Sequence, residues 1–251
     1  MLTTERKNMI LLTLQREGRV VAKELSQQLQ LSEDTIRRDL RELAGEGLLQ
    51  RVHGGALPAS PALASLSSRR EMSGDDKLAI ARTASRMVKN GQTVFLDGGT
   101  STVAVARALP EDLKATVVTH SPDIVLALLD KPSIEIELIG GRIYKHSNVS
   151  VGAVAMEAIH QVHVDVYFMG VTGIHVDYGL TTGDREEAAI KRAICRQAGE
   201  TVVLASQEKL GAVSAYDVVA LSEIGCLVME KAKTSDEVQR LRKQGVTIVV
   251  A

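Results

Sequence analysis

Two sets of residues in this chain have types and spacings that do chemistry. The first is Ser32–Leu43, SEDTIRRDLREL. Ile36, Leu40 and Leu43 recur there at i, i+4 and i+7, so they line one helix face. Asp34, Arg38 and Arg41 point the opposite way, with Arg37 on the flank. Ser32 is placed to cap the helix, and Glu33 and Asp34 suit the positive end of its dipole. A helix of about three turns with an apolar back and an arginine front suits the DNA major groove, where guanidinium groups read base edges or hold phosphates.

The second set is a series of glycine and hydroxyl clusters, of which Asp97-Gly98-Gly99-Thr100-Ser101-Thr102 is the fullest. Glycines let the backbone approach an anion, a following helix N-terminus offers unpaired N–H groups, and hydroxyls add donors. Similar clusters are Thr119-His120-Ser121, Gly140-Gly141-Arg142 with Lys145 nearby, and Gly170 to Gly173 with Thr172. Thr181 to Asp184 leads into a helix carrying Glu186, Glu187 and Lys191, and Ser206 to Lys209 closes the series. Together they describe a polar pocket for a phosphorylated, hydroxyl-rich molecule, with lysine as a point charge for phosphate. Taken singly, Glu187 and Lys191 read as an i, i+4 surface pair and Lys209 as a loop charge.

Other chemistries find less support. The sequence has no Ser-His-Asp spacing and no P-loop, so no catalytic residue is assigned. His160 and His163 stand at i, i+3 without cysteine or carboxylate partners arranged around them, so neither a metal nor a cofactor is expected. Cys195 and Cys226 lie far apart and suggest no disulfide framework, which fits a reduced cytoplasmic setting. No apolar run approaches a membrane span, and the charged N-terminus does not read as a signal peptide. Bulk charge decides nothing: residues 1–58 hold nine Lys and Arg against eight Asp and Glu. A DNA-binding reading therefore rests on where the arginines sit.

The elements that must position these residues fall into two groups. Residues 4–16 read as a helix ended by Gly18, residues 21–30 as a second, and Ser32 onward as a third. Two short helices joined by a tight turn, the second with outward arginines, make a helix-turn-helix. LLQRVHGGAL reads as a hairpin, which completes a winged helix and puts Arg51 and His53 on the wing. The domain is thus a small α+β winged helix-turn-helix. Residues 59–74 are rich in Pro, Ala and Ser and read as a linker. From Asp75 to Ala251, helical stretches alternate with apolar runs such as TVFL, ATVVT, VDVYFMGV and TVVLAS. This predicts an α/β domain with a mainly parallel sheet covered on both faces. DVVAL and CLVME are further candidate strands, and ligands are expected at the carboxyl ends of the strands.

The pair Thr35-Ile36-Arg37-Arg38-Asp39-Leu40 and Arg51-Val52-His53-Gly54-Gly55-Ala56 resembles the DeoR family of bacterial transcription regulators. The resemblance continues in Asp97 to Thr102, Val118-Thr119-His120-Ser121, Gly140-Gly141, Asp165 to Gly173, and Lys209 with Gly211. It departs at His120, where the family commonly has Asn, and at Gln207-Glu208. The resemblance implies that roughly residues 3–58 form the DNA-binding domain, and that the sensor domain has a fold related to ribose-5-phosphate isomerase and a phosphorylated sugar as effector. It also implies a repressor of a carbohydrate-use operon binding double-stranded operator DNA. The expected DNA contacts are Ser32, Thr35, Arg37, Arg38, Arg41, Arg51 and His53. The expected effector contacts are Asp97, Gly98, Gly99, Thr100, Ser101, Thr102, Thr119, His120, Gly140, Gly141, Arg142, Thr172, Glu187 and Lys209. Reading paired half-sites takes two heads, so a homo-oligomer, a dimer or tetramer, is expected. The alternative is a sugar-phosphate isomerase with an appended DNA-binding domain. It is disfavoured because the loop Gly170-Val171-Thr172-Gly173 lacks the carboxylate such isomerases carry there.

Overall fold

The computed structural model describes residues 2–60, 66, 74–231 and 236–251. Most of the expected linker lies outside these residues. The N-terminal part contains α1 (Thr3–Glu17), β1 (Val20–Val21), α2 (Ala22–Leu29), α3 (Glu33–Gly45), β2 (Leu49–Val52) and β3 (Gly55–Pro58). Ile10, Leu14, Leu25, Ile36, Leu40 and Leu43 meet in its core. Burying such side chains is worth roughly 1.5–3 kcal/mol each. Gly18 ends α1 in the left-handed conformation, with its N–H on the Leu14 carbonyl.

Val21 departs from the expected second helix and joins Val20. They form a strand that pairs antiparallel with β3, so the wing is a sheet in the order β1-β3-β2. Two consecutive β-branched residues before the helix favour this extended start. The turn residues of the wing are His53 and Gly54, and Gly54 has φ +81°. Gly55 lies inside β3, where a Cβ would sit 1.8 Å from the Val20 carbonyl oxygen. Only glycine lets the two backbones approach this closely.

The C-terminal part begins with α4 (Gly74–Ser85), β4 (Thr93–Leu96), α5 (Thr100–Ala108), β5 (Ala115–Thr119), α6 (Pro122–Leu128) and β6 (Ile134–Leu138). A hairpin of β7 (Arg142–Tyr144) and β8 (Val149–Val151) follows, then α7 (Ala153–His160) and β9 (Val164–Gly170). Next come β10 (Gly173–His175), β11 (Gly179–Thr182), α8 (Arg185–Gln197), β12 (Ala198–Leu204) and β13 (Tyr216–Asp217). The chain ends with β14 (Cys226–Met229), α9 (Asp236–Lys243) and β15 (Ile248–Val250).

Seven strands form a parallel sheet in the order β15-β14-β12-β9-β4-β5-β6. One face packs on α4, α5 and α6 through residues such as Val94, Val117, Phe168 and Val202. The other packs on α7, α8 and α9 through Phe95, Val118, Tyr167 and Val203. DVVAL is not a strand of this sheet. Tyr216–Asp217 instead edges a small antiparallel sheet, β10-β11-β13. From β4 the chain winds outward through β5 and β6, then returns to β9 and winds the other way. The reversal opens a crevice beyond the carboxyl ends of β4 and β9, where open α/β sheets hold ligands.

The two parts touch directly after the wing. Ala59 forms a parallel bridge with Val213. The Ser60 hydroxyl donates to the Thr172 carbonyl.

Candidate functional site

On the N-terminal part, Ser32 caps α3: its Oγ accepts the Thr35 N–H at 3.2 Å and meets the Thr35 hydroxyl at 2.8 Å. The two residues expected at DNA are thus partly engaged in starting the helix. The core residues of α3 turn Arg37, Arg38 and Arg41 to solvent. Arg37 is held by Glu33 one turn earlier, Nη2 to Oε1 at 2.6 Å. Arg38 and Arg41 make no ion pair among the described residues. Arg51 and His53 are exposed on the wing. Arg37 and Arg51 border one small cleft with Gly54 and Gly55, so an arginine of the helix and one of the wing lie side by side.

The sequence did not reveal what fixes α3 to α1. Asp39 is fully buried and takes a two-pronged ion pair from Arg6, with Nη2 to Oδ1 at 3.0 Å. The partners stand 33 residues apart, and no local pattern links them.

On the C-terminal part, the crevice at the winding reversal is a cavity of about 220 Å³. This is below the roughly 300–1,000 Å³ of drug-sized sites and suits a small metabolite. Gly98, Gly99, Thr100, Ser101 and Thr102 border it, as do Thr172, Glu187 and Lys209. Gly99, at φ +117°, precedes the first turn of α5 and frees its N-terminal N–H groups towards the cavity. The cavity also meets residues outside the expected effector contacts. Lys191 comes from α8, Lys77 from α4, Glu208 from the turn after β12, and Tyr144, His146 and Ser147 from the β7–β8 hairpin. Lys77, Lys191 and Lys209 are each buried, so three ammonium groups border a small space.

Six of the residues expected at the effector do not border this cavity. Asp97 is buried and outside the cavity lining. Its Oδ1 accepts the Gly98 N–H at 2.8 Å and meets His120 Nε2 at 3.0 Å. Its Oδ2 accepts the Gly170 N–H at 2.9 Å and pairs with Lys191. Burial opposes the charge on this carboxyl, but Lys191 and His120 outweigh it and hold it well below the usual carboxylate range. Lys191 is therefore no surface partner of Glu187. His120 is also fully buried, with Nδ1 3.0 Å from the Ser150 carbonyl. Thr119 donates to the Leu96 carbonyl at 2.7 Å and joins strands. Gly140 and Gly141 do not border the cavity, and a Cβ on Gly141 would sit 2.9 Å from the Val151 carbonyl oxygen. Arg142 turns outward to Glu186.

The turn carrying Glu208 and Lys209 is held from behind. Glu230 accepts the Gln207 N–H at 2.6 Å, and burial pushes its carboxyl above the usual range. Cys195 and Cys226 are both free thiols, and burial pushes each up to about 11. Among the described residues, no cluster of metal-ligating side chains occurs and no helix is long and apolar enough to cross a membrane.

Comparison with known proteins gives a consistent result. Residues 73–231 match the DeoR C-terminal sensor domain, and residues 6–61 match the DeoR-like helix-turn-helix domain. The chain is 35% identical to the HTH-type transcriptional regulator GlpR of Haloferax volcanii, over 99% of this chain and 98% of that one. It is 32% identical to the HTH-type transcriptional repressor GlcR of Bacillus subtilis, over 98% and 95%. It is 32% identical to the glycerol-3-phosphate regulon repressor of Escherichia coli K12, over 88% of each. A ribose 5-phosphate isomerase A from Methanocaldococcus jannaschii aligns at a TM-score of 0.39 and 19% identity, over 53% of this chain and 52% of that one, which is too slight to bear on function.

Proposed function

Because the chain belongs to the DeoR family of transcription regulators, we propose that its cavity takes a phosphorylated sugar or polyol and that the ligand controls operator binding. The protein is a DNA-binding regulator and not an enzyme. In our reading it acts in the cytoplasm, represses a carbohydrate-use operon and works as a homo-oligomer on paired half-sites.

One observation carries the effector reading. At the point where the sheet reverses its winding, the N-terminus of α5 opens behind two glycines, and three buried lysines border the same cavity. Free N–H groups and ammonium groups together favour a phosphate. Ser101, Thr172 and Glu187 supply donors and an acceptor for sugar hydroxyls. Arg38, Arg41 and Arg51 are the groups assigned to the duplex. Ligand in the cavity shifts the balance between DNA-competent and DNA-incompetent states through its unequal affinity for the two.

Thermal melting with glycerol 3-phosphate, pentose phosphates, hexose phosphates and inorganic phosphate tests this. A ligand at about 100 times its Kd stabilises by about 2.7 kcal/mol, which raises Tm by several degrees. The rise should disappear in Ser101→Ala/Lys209→Ala. A rise that survives in that variant, or no rise with any phosphate ester, overturns the assignment.

A further inference from the structure

Helix α1 buries Arg6, Ile10 and Leu14 and turns a second stripe outward. Glu5, Met9, Leu12 and Arg16 recur at i, i+4, i+7 and i+11, the spacing of a coiled-coil seam. All four are exposed, Met9 to 40% and Leu12 to 65%. Beside them Thr13 and Gln28 of α2 complete a shallow hollow. Neither the recognition helix, the wing nor the cavity uses this stripe.

The stripe is its own complement. Reversal about the point midway between residues 10 and 11 exchanges Glu5 with Arg16 and Met9 with Leu12. Laid antiparallel on a second copy, it sets opposite charges at both ends and apolar side chains between them. A parallel arrangement would set Glu5 on Glu5 and Arg16 on Arg16, which repel. We infer that α1 is a two-fold docking surface for α1 of a second copy of this chain, closing when two DNA-binding heads lie side by side. Such isologous contact is the simplest closed symmetry. The present partners of the charges do not oppose it. Glu5 accepts the Leu2 N–H at 3.0 Å and Arg16 meets Glu17 at 2.5 Å, both at the exposed surface. Four side chains cover far less than the roughly 1,200–2,000 Å² that holds free proteins together. The contact therefore forms between heads already held close, on neighbouring half-sites or within an oligomer joined elsewhere.

The test uses the full chain and duplexes that the wild type selects from a random pool, one with paired half-sites and one with a single half-site. Glu5→Arg and Arg16→Glu should each weaken binding to the paired duplex by about tenfold. Neither should alter binding to the single half-site. Combining the two should restore the paired affinity. Both reversals oppose the helix dipole, and the combined variant carries both, so restoration is not a gain in helix stability. Met9→Cys/Leu12→Cys, oxidised on the paired duplex, should give a covalent dimer that the wild type does not. The inference rests on the DNA-binding reading, and the single half-site separates the two: wild-type binding there with no loss on the paired duplex overturns the pairing alone. A combined reversal no better than either single one, or no covalent dimer on the paired duplex, overturns it as well.

Discussion

Asp97 takes two backbone N–H groups, one ammonium and one imidazole from four separate segments. It supports the floor of the cavity without bordering it. Asp97→Asn leaves Lys191 buried without its counter-charge, and breaking a buried pair costs about 3–5 kcal/mol. The variant should melt roughly 10 °C lower, measured by circular dichroism. The pH dependence follows from the depressed pKa. Stabilisation is complete above the unfolded value of about 3.8 and is lost as pH falls from there towards the folded-state value. Below about pH 4 the wild type should lose stability more steeply than Asp97→Asn. Arg38 is a different case, because it faces solvent and supports nothing. Arg38→Ala should weaken operator binding by about 1–3 kcal/mol with Tm unchanged. An equal loss of both would show that the side chain is structural. Which residues border the cavity was only half legible in sequence. The glycine-hydroxyl loop was readable because its chemistry is contiguous. Lys191 was not, because Glu187 four residues earlier offers it a surface partner that the fold does not use.

Elements were more legible than residues, for a physical reason. Strands buried on both faces are continuous apolar runs, and those of the central sheet stand out as such. The hairpins β7–β8 and β10–β11 are three or four residues long and mix polar with apolar side chains, so no periodicity marks them. Yet β7–β8 carries Tyr144 to the cavity, and the loop between its strands brings His146 and Ser147. β1 escaped notice because two valines before a helix read equally as its first turn. Its partner glycine gives a sharp prediction. Gly55→Ala sets a Cβ against the Val20 carbonyl, so the three-stranded wing must open. DNA affinity should fall about tenfold or more, while phosphate-induced stabilisation of the C-terminal part persists. Gly98 behaves differently from what a simple anion-approach argument implies. Its Cβ would lie 2.1 Å from Val149 Cγ1, so Gly98→Val displaces the β8 strand as well as blocking ligand.

For the whole molecule, the sequence reads as two domains and a linker, and the structure adds a contact just after the wing. Ala59 and Ser60 follow the last wing strand and dock on Val213 and Thr172. Thr172 borders the cavity, and its hydroxyl lies 2.7 Å from that of Ser214. That contact was not legible because it joins residues 112 positions apart. Two glycines inserted after Pro58 should leave both DNA affinity and ligand-induced stabilisation intact. The ligand should no longer change operator occupancy, as read by footprinting with and without it. Retained ligand control would assign the coupling to another route.

The docking of Ala59 and Ser60 on Val213 and Thr172 has a consequence for how the regulator can diversify. Two ends that made no contact beside the wing could be exchanged freely between relatives. Here the final strand of the DNA-reading end runs straight into the wall of the metabolite-sensing end, so a transplanted head would have to bring its own matching seam. Chimaeras joined at residue 58 should bind both targets yet fail to answer one with the other, whereas chimaeras that also exchange the Thr172 and Val213 loops should respond.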